Sequence, residues 1–251
     1  MDKPELPWSN KSVRHALAMA IDYNSIIKDY YKGDAMFAFP ISPYKAFLQS
    51  YTSPEQWPQA VKDIYTYNPT KAKQLLAEAG YPDGFKINVL TMSTYVDDLS
   101  LIKEYWRKIG VDMTIDVKET GVFNSMTAGF QQKEAVGYYG GGSDPFDMDQ
   151  YTPDNIDNHS RVNDQFAVQV YKDTREGFVT DRPKLGPKVK EFYNYALEQA
   201  WDIVLPGPNG YNMWQPWVKN YRGEVDLGPC TRLIWGAYVW IDQSLKKSLG
   251  F

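Results

Sequence analysis

The stretch from Asn68 to Val117 constrains the fold more than any other part of the chain, because start, stop and periodicity signals follow one another there without a gap. Asn68 is a capping side chain, Pro69 suits the first helical position and Gly80 stands just past the end, so Ala72, Leu75, Leu76 and Ala79 form one buried helical stripe. Tyr81, Pro82, Asp83 and Gly84 make a turn into an extended segment from Phe85 to Thr91. Leu99, Ile102, Trp106 and Ile109 then recur at helical spacing until Gly110 stops them. Val111, Met113, Ile115 and Val117 alternate with Asp112, Thr114, Asp116 and Lys118, which predicts a strand with one packed and one polar face. Such a strand-helix-strand unit predicts two parallel strands joined by a right-handed crossover.

Helical signals lie on both sides of this unit. Asn10 caps a helix with Val13, Ala16, Leu17 and Ala20 on its apolar face, and Asp22 caps a second, short helix carrying Ile26, Ile27 and Tyr30 before Gly33. From Phe37 to Pro58, prolines at 40, 43, 54 and 58 break any period and predict an irregular loop. Phe123, Met126 and Phe130 suggest a short helix, and Ala135 to Tyr139 an extended run into glycines. A helix from about Asp164 to Arg175 presents Phe166, Val170 and Tyr171. Another starts at Pro187, buries Val189, Phe192, Tyr193, Ala196, Leu197, Ala200, Trp201 and Val204, and is closed by Pro206. Beyond Gly210 the chain holds Trp214, Trp217, Trp235 and Trp240, half of its 8 tryptophans.

At 251 residues and 43% hydrophobic content the chain buries one sizeable core or two small ones. A net charge of -4 offers no basic field for phosphate backbones, so no nucleic acid partner is expected. No apolar run is long enough to span a bilayer, and Met1 to Glu5 lacks the basic and apolar regions of a secretion signal. Cys230 has no second cysteine to pair with and no histidine nearby in sequence, so it reads as a small packed residue rather than a nucleophile. With only His15 and His159 as imidazoles, a zinc site of the common types is not expected, and no cofactor is predicted.

The segment Gly140, Gly141, Gly142, Ser143, Asp144, Pro145 lacks the Lys and Ser/Thr of a phosphate-binding loop and the closing glycine of a nucleophile elbow. Read by residue type alone it is a connecting loop. Asp144, Asp147, Asp149 and Asp154 do not have the spacing of an EF-hand and read as solvated carboxylates. Asn158 and Arg161, in the donor-rich run Asp154 to Arg161, either orient a polar ligand or cap the surface. Trp106 and Trp201 sit on helical stripes and belong to a core. Trp214 and Trp217, in an irregular segment, either stack on a ligand or pack against another lobe.

Four segments taken in order carry a family resemblance: Val13 to Asp22, Asn68 to Gly80, Glu104 to Val111 and Gly140 to Pro145. Together they resemble the C-terminal lobe of family 5 extracellular solute-binding proteins, the peptide-, nickel- and oligosaccharide-capturing components of bacterial ABC importers. The resemblance runs from about Lys11 to Asp242. It implies an α/β, periplasmic-binding-protein-like fold (type II, cluster C), with a mixed sheet flanked by helices. Residues 1–209 are then the C-terminal ligand-binding lobe of a two-lobe protein, and 210–251 a Trp-rich segment returning toward a first lobe that lies outside this chain. Complete family members are longer and begin with a signal peptide and another lobe, so the chain is read as a lobe fragment.

The resemblance implies a non-catalytic function, capture of a peptide-like or oligosaccharide-like solute for delivery to an ABC importer permease. It also implies a periplasmic or extracellular location, with membrane contact only through an anchor outside this segment. Its implied ligand-binding residues are Tyr138, Tyr139, Gly141 and Asp144, and the reading by residue type adds Asn158, Arg161, Trp214 and Trp217 as candidates. Tyr138 falls at the family's aromatic position, Asp144 at the acidic residue before proline, and Gly141 where peptide-binding members place the aspartate that holds a ligand's ammonium. Without that carboxylate an ammonium loses a charge-assisted bond of roughly 1.5 to 3 kcal/mol, which argues against free-amino peptides unless Asp144 or Asp147 substitutes. Two readings of other classes stand beside it. One is a ligand-sensing domain of a cytoplasmic transcription regulator, decided by what precedes Met1. The other is a carbohydrate-active enzyme, which requires paired carboxyls in a cleft.

Overall fold

The structure, a computed structural model, describes residues 3–37, 50–137, 147–223 and 238–251. The chain divides into two units, Met1–Gly207 and Pro208–Phe251. In the first unit, α1 (Lys11–Met19) starts where the Asn10 side chain accepts from the Ser12 amide at 2.8 Å, and it buries Val13, Ala16 and Leu17. The Asp22 carboxylate caps the next helical turn by accepting from the Ser25 amide at 3.0 Å, and that turn widens to a π-helix over Ile26–Tyr30. The turn ends through Lys32 and Gly33, both at positive φ. Within the span expected to be irregular, Pro54–Gln56 forms a single 3-10 turn before α2 (Gln59–Ile64), while residues 38–49 lie outside the described residues.

α3 (Pro69–Glu78) has the caps its sequence predicts. The Asn68 side chain accepts from the Lys71 amide at 2.9 Å, and Gly80 takes φ +94 where a side chain would be strained. Ala72 and Leu76 are fully buried, whereas Leu75 and Ala79 pack from the rim of the core. β1 (Phe85–Met92), α4 (Val96–Arg107) and β2 (Val111–Lys118) then form the strand-helix-strand unit, the strands parallel and in register from Phe85 opposite Val111 to Met92 opposite Lys118. Val111 and Met113 point into the core as the alternation requires, but Val117 is 44% exposed because the packed face ends before the strand does. After α5 (Thr120–Ala128), β3 (Ala135–Val136) adds to the other edge of β1, giving the order β2-β1-β3. These described strands are all parallel. β1 is central, and Ile87, Val89, Leu90 and Thr91 are accordingly all buried.

The main core joins this sheet to α1, α3 and α4, and Trp106 is tied into it by an indole N–H donated to the Leu17 carbonyl at 3.0 Å. A second core forms around α6 (Gln165–Thr180) and α7 (Arg182–Gln199) with Met148, Tyr151, Val162, Val170, Val189 and Phe192. Both helices depart from their predicted bounds. α6 continues past Arg175, and Phe166 lies at its rim, 36% exposed. α7 begins at Arg182 rather than at Pro187, because Pro183 occupies its first turn and Pro187 is tolerated inside. It ends at Gln199, where Ala200 takes the left-handed conformation, so Trp201 and Val204 lie beyond the helix and not on its stripe.

In the second unit, β4 (Val218–Lys219) pairs antiparallel with β5 (Trp240–Ile241), and α8 (Gln243–Ser248) is capped by Asp242, which accepts from the Leu245 amide at 2.9 Å. Trp217 is buried against Phe251, ring centroids 4.7 Å apart, while Tyr211, Met213, Trp214, Tyr238 and Trp240 remain exposed. No helix among the described residues is long and apolar enough to cross a membrane.

Candidate functional site

A cavity of about 310 Å³ lies within the first unit, against the face of the sheet that carries Ile87, Val89 and Met113. Leu17 and Ile21, from α1 and the turn after it, and Leu99, Ile102 and Trp106 of α4 complete an apolar floor. The walls come from segments far apart in sequence: Leu6 and Trp8 before α1, Phe130 to Gly137 around β3, Asp157 to Arg161, and Ala200 to Leu205 after α7. The wall at β3 is fixed by two bonds, from the Gly137 amide to the Leu90 carbonyl at 2.9 Å and from the Thr91 hydroxyl to the Gly137 carbonyl at 2.6 Å.

Charged groups on the lining are held by specific partners. The buried Arg14 guanidinium donates to the Gln199, Trp8 and Ser9 carbonyls at 2.8 to 3.1 Å, so it closes the C-terminus of α7 and fastens the N-terminal segment at once. Burial pulls its pKa down to about 10, opposed by the charge of Asp202. Asp202 accepts from the Ser160 hydroxyl at 2.6 Å, and Asp98 from the Tyr31 hydroxyl at 2.8 Å. The Glu134 carboxylate accepts from the Asn88 amide. Lys3 donates to the carbonyls of Gln132 and Lys133 at 3.1 and 2.9 Å. His159, also on the lining, is held below the usual imidazole range by burial, against the raising influence of Asp157 and Asp202.

Phe130 and Arg161 both take positive φ, 52° and 53°, an uncommon conformation for side chains with a Cβ. The Arg161 guanidinium lies over the Phe130 ring at 4.0 Å from its centroid. Each such residue stores roughly 1 kcal/mol or more of backbone strain. Two strained residues in mutual contact on a cavity wall mark that wall as one built for position. The lining as a whole offers apolar area, aromatic faces and oriented polar groups, the composition of a binding pocket.

Of the residues that the sequence singles out, Arg161 is on this lining. Asn158, three residues earlier in the chain, turns inward. Its side-chain amide donates to the carbonyls of Thr152 and Val162, and its oxygen accepts from the Val162 amide at 2.8 Å, so it knits the loop that presents Arg161. Trp214 and Trp217 belong to the second unit, where Trp214 stacks edge-on with Tyr221 and Trp217 packs on Phe251. Tyr138, Tyr139, Gly141 and Asp144 lie outside the described residues, as does Cys230. No group of three acidic, histidine or cysteine side chains able to hold a metal ion occurs among the described residues. Trp8, Gln132, Trp201 and Asp202 are on the lining without having been singled out as ligand residues. Only Trp201 carried a sequence signal, and that signal placed it in a core.

The fold is that of the periplasmic binding proteins. HbpA2 from Haemophilus parasuis superposes with a TM-score of 0.68 at 23% identity, over 82% of this chain and 41% of that one. The oligopeptide-binding protein AppA from Bacillus subtilis, solved with a nonapeptide, gives 0.68 at 22% identity, over 88% and 46%. In sequence, 139 residues are 33% identical to the glutathione-binding protein GsiB of Salmonella typhimurium, covering 54% of this chain and 25% of that protein. Residues 2–159 match the sequence profile of the bacterial extracellular solute-binding proteins, family 5 (middle), and the chain belongs to that family. It spans about a quarter of the length of the curated relatives it matches.

Proposed function

We propose that the chain is the capturing lobe of a solute-binding protein, that it holds a peptide-like solute without changing it, and that the captured solute is handed to an ABC importer permease. The observation that carries this reading is the cavity in the first unit. Its volume of about 310 Å³, apolar floor and fastened polar rim suit a small solute, since ligand pockets begin at roughly 300 Å³. Family membership sets the class of function, and the glutathione and nonapeptide named for relatives favour peptide-like chemistry. The resemblance puts Gly141 where peptide-binding members carry an ammonium-holding aspartate, which favours peptides whose α-amino group is blocked or lies elsewhere unless Asp144 or Asp147 takes that role.

Residues 210–251 belong in this reading to the path toward another lobe of a longer protein, which the exposed Tyr211, Trp214 and Trp240 support. Capture by closure of two lobes fits a periplasmic or extracellular protein. One lobe alone then binds weakly, on the order of millimolar, or about -4 kcal/mol.

Native mass spectrometry of the chain incubated with N-acetylated and free di- and tripeptides tests the reading. Non-covalent adducts of unchanged peptide mass are expected, more abundant for the acetylated forms. Release of cleaved peptide would overturn the non-catalytic assignment, and a strong preference for free amines would overturn the role given to Gly141.

A further inference from the structure

We propose that Asn209–Gly210 is a site of spontaneous covalent modification, at which the asparagine is converted to isoaspartate and aspartate through a cyclic imide. Asparagine precedes glycine at this one place in the 251 residues. The pairing matters because the attacking group is the backbone nitrogen of the following residue, and glycine alone puts no Cβ beside that nitrogen. Asn209 and Gly210 are both exposed, in backbone that belongs to no helix or strand, and a Cβ on Gly210 would meet nothing within 4 Å. They come just after the first unit ends at Gly207. Exposed irregular backbone has the freedom to reach a reactive geometry that packed elements deny.

The step needs only water. The Gly210 nitrogen gives its proton to hydroxide and bonds to the side-chain carbonyl carbon of Asn209, the bond from that carbon to the side-chain nitrogen breaks, and ammonia leaves. Water then opens the five-membered imide on either side of the Gly210 nitrogen. Cleavage of the new bond gives aspartate in the original backbone, and cleavage of the original peptide bond gives isoaspartate, with the chain running through the side chain and longer by one methylene. Nothing is oxidised or reduced, and either product adds one negative charge. Competing positions are held by the fold. Asp83 also precedes a glycine, but the Gly84 amide donates to the Tyr81 carbonyl at 3.0 Å, and Gly84 is fixed at φ +78 against Gly110. Asn68 precedes proline, which has no N–H to lose. Asn24 and Asn124 precede serine within helical turns. The buried Asn158 side chain donates to the Thr152 and Val162 carbonyls and accepts from the Val162 amide.

The test incubates the 251-residue chain in mildly alkaline buffer beside the synthetic peptide of residues 205–214, which reports the reactivity of the same sequence outside the fold. Mass spectrometry of the tryptic fragment 191–219 should show a gain of about 1 Da at Asn209, ammonia lost and water added, with isoaspartate the larger product. The rate should rise with hydroxide concentration and lie within about fivefold of the free peptide, because exposed backbone opens at almost no cost. Hydroxylamine, which traps the imide, should split the chain into 1–209 and 210–251. Asn209→Gln should abolish both results, since glutamine must close a slower six-membered ring, and Gly210→Val should slow conversion about tenfold or more, because a branched Cβ crowds the attacking nitrogen. No gain at Asn209 over a period in which the peptide converts fully would overturn the assignment. So would faster conversion at Asp83 or at another asparagine, or cleavage by hydroxylamine that persists in Asn209→Gln.

Discussion

The guanidinium of Arg14 closes on the carbonyl oxygen of Gln199 with two N–H groups, Nε at 3.1 Å and Nη2 at 2.9 Å. This one contact joins the first helix of the chain to the end of α7 and sets where the wall from Ala200 to Leu205 begins. Replacing Arg14 by Met leaves those carbonyls without a donor in a buried place. We expect a loss of about 2 to 4 kcal/mol in urea unfolding. Arg14→Lys should recover less than half of it, because an ammonium has no planar fork to span several carbonyls. Full recovery by lysine would show that charge, and not geometry, holds the contact.

Gly84 and Gly110 each directly precede one of the two paired strands, β1 and β2, and approach each other closely. A Cβ built on Gly84 would lie 1.9 Å from the Gly110 carbonyl oxygen, at φ +78, while one on Gly80, at φ +94, would meet nothing within 4 Å. Gly84→Ala is expected to cost about 3 kcal/mol or more, since backbone and not a flexible side chain must move. Gly80→Ala should cost about 1 kcal/mol, from the left-handed conformation alone. Equal effects in thermal melts would mean that the two glycine turns do not abut.

Acidification tests the electrostatics. His15, which bonds the Glu198 carbonyl through Nε2 at 2.7 Å, and His159 are both held below the usual imidazole pKa of 6.5, in each case first by burial. The unfolded chain therefore takes up protons at a higher pH than the folded one. Stability is full above the unfolded value and is lost as pH falls below it toward the folded values. Melting temperature should fall between pH 7 and pH 5, and His15→Gln or His159→Gln should each reduce that slope. These are the chain's only histidines, so a slope unchanged in both variants would place the acid sensitivity on carboxylates.

The parts of the fold legible in sequence are those specified locally. Asn68, Pro69 and Gly80 mark α3 without help from elsewhere, and the alternation from Val111 to Met113 puts β2 face-in because one face is buried and one is wet. The end of α7 was not legible. Ala200 takes a left-handed conformation that sequence would assign to glycine, and the Gln199 carbonyl just before it is bonded by Arg14, distant in sequence. The sequence places the start of α7 at Pro187, a residue type suited to a first turn, whereas in the structure Pro183 fills that role. The cavity was largely hidden for the same reason. Trp8, Gln132 and Asp202 come together only through tertiary packing and have no shared period or motif. Asn158 had the right chemistry for a ligand residue, but its amide is engaged by Thr152 and Val162.

Solute capture in the first unit is tested most directly by intermolecular NOEs between a bound N-acetylated tripeptide and the methyl groups of an isotopically labelled chain. NOEs are expected to Leu17, Val89, Leu99 and Met113, which line the floor of the cavity, with the peptide intact at the end of the measurement. NOEs confined to residues 208–251, or a peptide cleaved during the experiment, would contradict capture in this cavity.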